Sequence, residues 1–476
     1  MAKPTVVLLP VWGAGHFMPM IELGKRMLRC SDGALSLTVL LMPAPTAQAV
    51  SDIAEHVRRE ESADIRFHHL PSVPLPADHT GVEEFISRIV ESHVPHVMSA
   101  VSALSCPVAA LVVDIFCTPA FDVSSALAVP AYVYFASGAA MLALLLRSPS
   151  LHEETEAEFF DDSAVLDVPG LPPVPPSFLP ATMLDRKKST YTWFVYTGRR
   201  YTEASGFIVN TAAELEPGVL AAIAPTVYPI GPAISFPAAA ENNPQPHECI
   251  RWLDAQPRAS VLLLCFGSKG ILSTRQVHEI AHGLARSGHR FLWVLRGLPL
   301  DATQGAREAR DADLDERLPD GFLEKTKGIG LVWPKRAPQK EILAHASVGG
   351  FVTHCGWNSV LESLWFGVPM LPWPLDADQH LNAFTLVYDM GVAVPLEMGG
   401  RQEPYVEAAE LERSVRSLMG GGEEGRKARE KAMGMKALCR KAVEQNGSSY
   451  VSLKRLSEDV LRGAVLPKNE PDHLSK

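Results

Sequence analysis

Short apolar runs alternate with longer helical patterns along most of the chain, and this alternation limits the fold more than any other feature. Thr5–Leu9, Leu35–Met42, Ala109–Val113, Ala131–Phe135 and Phe207–Val209 are rich in Val, Leu and Ile, with candidate helices such as Met20–Leu28 and Glu83–Ala103 between them. Strands apolar at every position are covered on both faces, which is the property of a parallel sheet in an α/β layer structure. The pattern pauses after Gly231-Pro232. Residues 233–247 are rich in Pro, Asn and Ala and read as a linker, whose core we set at 239–247. A second alternating block follows, with strands expected at Val261–Phe266, Phe291–Leu295, Gly330–Trp333, Gly350–Thr353 and Met370–Trp373. Ser273 and Gln276 have the spacing of a capping box, and Val277, Ile280, Ala281 and Leu284 form an apolar stripe at helical spacing. A chain of 476 residues exceeds the roughly 250–300 that one core accommodates. The expectation is two α/β domains, 1–238 and 248–450, with a C-terminal helix and tail over 451–476. Pro169–Pro180 and the charge-dense Asp301–Asp320 read as surface excursions.

Charge and cysteine usage exclude several classes. The formal net charge is -10 with no compensating basic run, which argues against a nucleic-acid binder. The seven cysteines are scattered, odd in number and never paired as C-x-x-C, so neither a disulfide framework nor a zinc cluster is expected. The longest apolar stretch, Ala131 to Leu146, is interrupted by Ser137 and Gly138 and falls short of the roughly 20 residues a membrane span needs. It reads as a buried strand followed by a buried helix. A monomeric cytoplasmic protein without a transmembrane segment is expected, free or peripheral at the cytosolic face of the endoplasmic reticulum.

Polar residues at strand ends are the candidates for chemistry, because open α/β sheets bind ligands beyond the carboxyl ends of their strands. Gly13-Ala14-Gly15-His16 follows the first strand. It fails as a dinucleotide fingerprint: the third glycine would fall at Met18, and the second strand ends in Met42-Pro43 without a ribose-binding acid. His16 then reads either as a catalytic base on a tight turn or as a plain turn histidine. Asp114 ends the strand Leu111-Val112-Val113 and reads either as the partner of a histidine or as a helix cap. The run 349–359 passes from a strand through a glycine turn to a helix N-terminus, which is an anion site. His354, Asn358 and Ser359 add donors there, and Glu362 lies one helical turn on, where it can accept ribose hydroxyls; a plain strand-turn-helix corner is the alternative. Ser268, after Phe266-Gly267, is a second phosphate donor or a simple turn serine. Asp376-Ala377-Asp378 has the form of a metal-binding D-x-D.

Taken together, Arg336-Ala337-Pro338-Gln339, His354-Cys355-Gly356-Trp357-Asn358-Ser359, Glu362, Gly367-Val368-Pro369 and Trp373-Pro374 to Asp378-Gln379 resemble the signature box of plant family-1 UDP-glycosyltransferases, without a gap. Val209-Asn210-Thr211, Glu214-Leu215-Glu216, Ile230-Gly231-Pro232 and Trp252-Leu253-Asp254 extend the likeness along nearly the whole chain. The resemblance implies a GT-B fold, with two Rossmann-like parallel-sheet domains facing a cleft, the acceptor on the first and the UDP-sugar on the second. It implies that Ala337 reads the uracil, that Gln339 and Glu362 contact the ribose, that Ser268, His354, Asn358 and Ser359 cradle the diphosphate, and that Gly356 belongs to the donor site. Trp357, Asp378 and Gln379 correspond to sugar contacts, and Gln379 favours UDP-glucose over UDP-galactose. Two positions depart from the family: Arg336 replaces the usual uracil-stacking Trp, and Ala136 replaces a Thr near the sugar 6-hydroxyl, with Ser137 beside it expected to point elsewhere.

The implied reaction is inverting O-glycosyl transfer, with His16 as base and Asp114 as its partner. UDP-sugar is a co-substrate, and neither a cofactor nor a metal is expected. The overall likeness is closest to enzymes of flavonoids, anthocyanidins and related phenolics, with terpenoid or hormone acceptors as the alternative. An NAD-type oxidoreductase and a non-catalytic nucleotide-sugar binder are the competing classes.

Overall fold

The computed structural model describes residues 2–154, 165–236, 246–268, 270–298, 310–399 and 405–464. Residues 239–245 of the expected linker, 301–309 of the charged segment and the tail from 465 lie outside them.

The first sheet contains Thr5–Leu9 (β1), Ser36–Leu41 (β2), Ile65–His69 (β3), Val108–Asp114 (β4), Ala131–Phe135 (β5), Gly206–Val209 (β6) and Val227–Pro229 (β7). All pairs are parallel, in the order β3-β2-β1-β4-β5-β6-β7. The second contains Val261–Cys265 (β8) and Arg290–Val294 (β9), then, past the short antiparallel ribbon Arg296–Gly297 (β10) and Arg310–Asp311 (β11), Gly330–Trp333 (β12), Val348–Thr353 (β13) and Met370–Pro372 (β14). Its order is β12-β9-β8-β13-β14, again parallel. Central strands such as β1 and β4 are buried at every residue, whereas the edge strand β3 is half exposed. Each sheet carries a separate apolar core on each face, the arrangement that fully apolar strands require.

The helix Ser448–Arg462 packs on the first sheet. Leu453, Leu456 and Val460 join the core formed by Val6, Leu8 and Tyr132. Ser449 Oγ donates to the Gly231 carbonyl at 2.6 Å, and Tyr228 donates to Asp459 at 2.6 Å. Among the described residues no helix is long and apolar enough to cross a membrane, and all seven cysteines are free thiols.

Four local expectations need correction. The first helix is not Met20–Leu28 but Ala14–Cys30; it starts directly at the glycine turn and carries Pro19 inside it. The capping box has only one arm: Ser273 Oγ accepts from Gln276 N at 3.2 Å, but the Gln276 amide pairs with the backbone of Val406 through two bonds of 2.9 Å. Pro169–Pro180 is not a surface excursion. Val174 and Leu179 are fully buried between its prolines, and the Phe178 ring sits 5.3 Å from Phe384 of the second domain. The described part of Asp301–Asp320 is also ordered: it supplies β11 and the short helix Leu314–Arg317, and the buried Arg317 guanidinium donates to Leu272 O at 2.6 Å.

Candidate active site

Both sheets reverse direction at their first strand, β1 against β4 in one and β8 against β13 in the other. Such switch points open a crevice beyond the strand ends. His16 follows β1, Asp114 ends β4, Ser268 follows β8, and His354–Ser359 follow β13. Residues far apart in the chain therefore converge on two facing crevices.

His16 lies in the first turn of helix Ala14–Cys30, and its Nδ1 is 2.9 Å from Asp114 Oδ2. Asp114 is completely buried, whereas His16 is part exposed to the cleft. Asp114 Oδ1 accepts from Phe116 N at 3.3 Å, which orients the carboxylate. A carboxylate on Nδ1 holds the proton there and turns Nε2 outward as the basic nitrogen. The Phe116 ring lies 5.6 Å from the imidazole, and Phe85 is flanked by Trp12 and His79 at 6.5 and 4.7 Å, so the first-domain crevice is aromatic. Helix Ser189–Arg200 contributes to the first core instead, with Phe194 and Val195 buried.

The facing crevice is built on helix Trp357–Phe366. Its N-cap is Gly356, and no side chain caps it, so the first-turn N–H groups keep their capacity to bind an anion. Cys355 adopts the left-handed conformation, φ 65°, with its N–H on Thr353 Oγ1 at 3.1 Å and its carbonyl receiving Asn382 Nδ2 at 2.9 Å. Gly267 and Gly356 leave room for the His354 ring, since a Cβ on either would come within 2.6 Å of Nε2. Burial pushes His354 down to about 4, against a backbone bond with Cys265 that raises it, so the buried ring is neutral. Ser359 Oγ and the Glu362 carboxylate accept from Gln339 Nε2 at 3.0 and 2.7 Å. Burial raises the Glu362 carboxyl, and the Gln339 bond opposes that rise.

Asn358 makes one of the contacts that join the two crevices. Pro19 sits four residues after Gly15 and has no N–H to offer the Gly15 carbonyl. Asn358 Nδ2 donates to that oxygen at 3.0 Å. The helix interruption thus creates the acceptor that ties the second domain to the residue preceding His16. Nearby, Trp357 is buried and its indole N–H donates to Asn210 O at 2.7 Å, so the indole serves the interface while its backbone N–H stays at the helix terminus.

Asp378 faces the same space. Its Oδ2 accepts from Asn382 Nδ2 at 2.9 Å and from Ser137 Oγ. Burial raises its carboxyl; those two bonds and the neighbouring His16 pull it back. Gln379 Oε1 accepts from Leu375 N and Asp376 N at 2.8 and 3.1 Å, which leaves its NH2 for a ligand. Ser137 was expected to point elsewhere, but β5 ends at Phe135 and the turn after it reaches across the cleft. The interruption of the apolar run at Ser137-Gly138 was the available signal. Ala337 packs partly buried against the second core. Arg336 is exposed, and its Nη1 lies 3.4 Å from Asp52 of helix Ala47–Glu60. Ser268 is exposed on the turn after β8. Among the described residues no three His, Cys, Asp or Glu side chains form a metal-ligating group.

Comparisons with known proteins point to one family. The family model described as UDP-glucoronosyl and UDP-glucosyl transferase matches residues 220–416. The chain is 68% identical to a malvidin galactosylase of Oryza sativa subsp. japonica, over 98% of this chain and 99% of that one. It is 36% identical to an anthocyanidin 5,3-O-glucosyltransferase of a Rosa hybrid cultivar, over 96% and 99% of the two chains. Among solved structures it is similar to a UDP-glucosyltransferase from Polygonum tinctorium capable of glucosylating indoxyl, with TM-score 0.87, 36% identity and coverage of 97% and 99%. A Phytolacca americana enzyme complexed with UDP-2fluoro-glucose and pterostilbene matches with TM-score 0.83, 34% identity and coverage of 96% and 99%.

Proposed function

This chain belongs to the plant family-1 UDP-glycosyltransferases, enzymes of GT-B fold, and on that basis we propose that it transfers a hexose from UDP-hexose to a hydroxyl of a flat phenolic acceptor of the anthocyanidin or flavonoid type. The observation that carries this reading is the His16–Asp114 pair, held opposite the uncapped N-terminus of helix Trp357–Phe366 by the bond from Asn358 to Gly15 O.

His16 Nε2 takes the proton of the acceptor hydroxyl as that oxygen attacks the anomeric carbon. A positioned base of this kind contributes about 10²–10⁴-fold. Asp114 keeps the tautomer and stabilises the imidazolium that forms. The bond from the anomeric carbon to the β-phosphate oxygen breaks through an oxocarbenium-like state, and attack from the opposite face inverts the configuration. The charge on departing UDP is met by the helix N-terminus and by donors from His354, Ser359 and Ser268. Glu362 and Gln339 receive the ribose, Ala337 and Arg336 border the uracil, and Asp378, Gln379 and the Trp357 backbone N–H receive the sugar. These fixed donors replace a metal.

Gln379 supports glucose as the transferred sugar. A second reading, galactose, is supported by the 68% identity to a malvidin galactosylase. The test is incubation of the purified protein with UDP-glucose or UDP-galactose, with and without EDTA, and a panel of anthocyanidins, flavonols and terpenoid alcohols, with products identified by mass spectrometry and NMR. The expected result is an inverted O-glycoside of a phenolic, formed equally in EDTA. Glycosylation of terpenoid alcohols alone would overturn the acceptor assignment, and loss of transfer in EDTA would overturn metal independence.

A further inference from the structure

The turn between β5 and helix Ala139–Glu154 is held unusually firmly for a loop. Glu216 is completely buried, and its two carboxylate oxygens accept from Ala139 N and Ala140 N, each at 2.9 Å. The first two backbone donors of the helix are therefore fixed by one group reaching in from residue 216. Gly138 is wedged between that carboxylate and the Trp357 ring: a Cβ there would come within 2.9 Å of Glu216 Oε1 and 3.0 Å of the indole. Trp357 is itself anchored through its N–H to Asn210 O. Residue 137 has little freedom to move, and Ser137 is buried.

From this fixed position Ser137 Oγ donates across the cleft to Asp378 Oδ2, and Asn382 Nδ2 donates to the same oxygen. Two donors from two domains thus pin one carboxylate oxygen. The carboxylate therefore keeps a single orientation. A pinned acceptor rewards a hydroxyl pointing at it and penalises one pointing away. UDP-hexoses that differ only in the direction of one ring hydroxyl, as glucose and galactose do, are distinguished in this way.

We propose that Ser137 is a specificity-determining positioning residue: by fixing Asp378 from the opposite domain, it sets how strongly the enzyme separates epimeric UDP-hexoses. This rests on the UDP-hexose transfer reading. Without Ser137 the carboxylate loses its bond from the first domain and is freer to rotate to meet either epimer.

The experiment measures kcat/KM for UDP-glucose and UDP-galactose with one acceptor, in wild type, Ser137→Ala and Ser137→Thr, alongside calorimetric binding of UDP alone. The ratio between the preferred and the disfavoured sugar should fall about tenfold in Ser137→Ala, the effect of one hydrogen bond to a charged group, and stay near wild type in Ser137→Thr. UDP affinity should be unchanged, which also shows that the variants are folded. A wild-type ratio near one, or an equal loss with both sugars in Ser137→Ala, would overturn the proposal while leaving the transfer reading intact. Failure of wild type to bind UDP and to transfer either sugar would overturn the transfer reading and this assignment with it.

Discussion

Arg336 is the residue whose chemistry departs furthest from its family. It stands where a stacking tryptophan is usual, and its guanidinium reaches towards Asp52 across the cleft at 3.4 Å, with both groups solvated. Exposed pairs of this kind contribute about 0–1 kcal/mol, so the pair does not dictate the position of either domain. A planar guanidinium can lie on a base as an indole does. Arg336→Trp is therefore expected to bind UDP at least as tightly as wild type by calorimetry; a loss beyond about tenfold would mean that the guanidinium contacts phosphate. His354 gives a prediction in pH. Its value in the folded protein, about 4, lies below the ordinary 6.5 because burial disfavours the charged ring. As pH falls the unfolded chain takes up the proton first, so the contribution of His354 to stability is complete above about 6.5 and is lost between there and about 4. His354→Asn should flatten the dependence of melting temperature on pH within that window, and an unchanged slope would show that the ring titrates normally. His16 and Asp114 were legible as candidates because strand ends can be read from apolar runs. Their pairing was not, since 98 residues separate them and only the strand order β1-β4 brings them together.

The central strands were legible because each is apolar throughout, a pattern that depends on burial alone, whereas the half-exposed edge strand β3 (Ile65–His69) and the short β7 (Val227–Pro229) carry no such run and were not read. Helix starts were less so. Gly13, Gly15 and Pro19 all argue locally against a helix, yet Ala14–Cys30 begins among them, because Phe17, Met20 and Ile21 are buried against the sheet. The capping spacing at Ser273 held for one arm only, since Gln276 found a better partner 130 residues away. Pro169–Pro180 read as surface because its composition resembles a linker; nothing local shows that Phe178 meets the rings of Phe384 and Tyr388. At this scale the helix Ser448–Arg462 makes the clearest prediction. Leu456 is fully buried in the first core, so Leu456→Ala should cost about 2–5 kcal/mol of stability through the cavity it leaves. This is measured as a lower thermal midpoint of the first domain. A neutral effect would mean that the helix is not docked on the first sheet.

For the molecule as a whole, two parallel sheets supply the same device twice, a crevice where strand order reverses, and the function lies in how the two are joined. Polar contacts are among the joints: Asn358 to Gly15, Trp357 to Asn210, Ser137 to Asp378. They span 147 to 343 residues of sequence, which is why the donor box was readable as a motif while its connection to the base was not. The proposed function rests on a division of labour in which the second domain holds UDP and the first domain supplies the base. The most direct test is His16→Ala, assayed for transfer from its preferred UDP-hexose and, on the same preparation, for UDP binding by calorimetry. The predicted result is a fall in kcat of about 10²–10⁴-fold with UDP affinity within about threefold of wild type. Transfer at close to the wild-type rate would contradict the account, as would a loss of UDP affinity as large as the loss of rate.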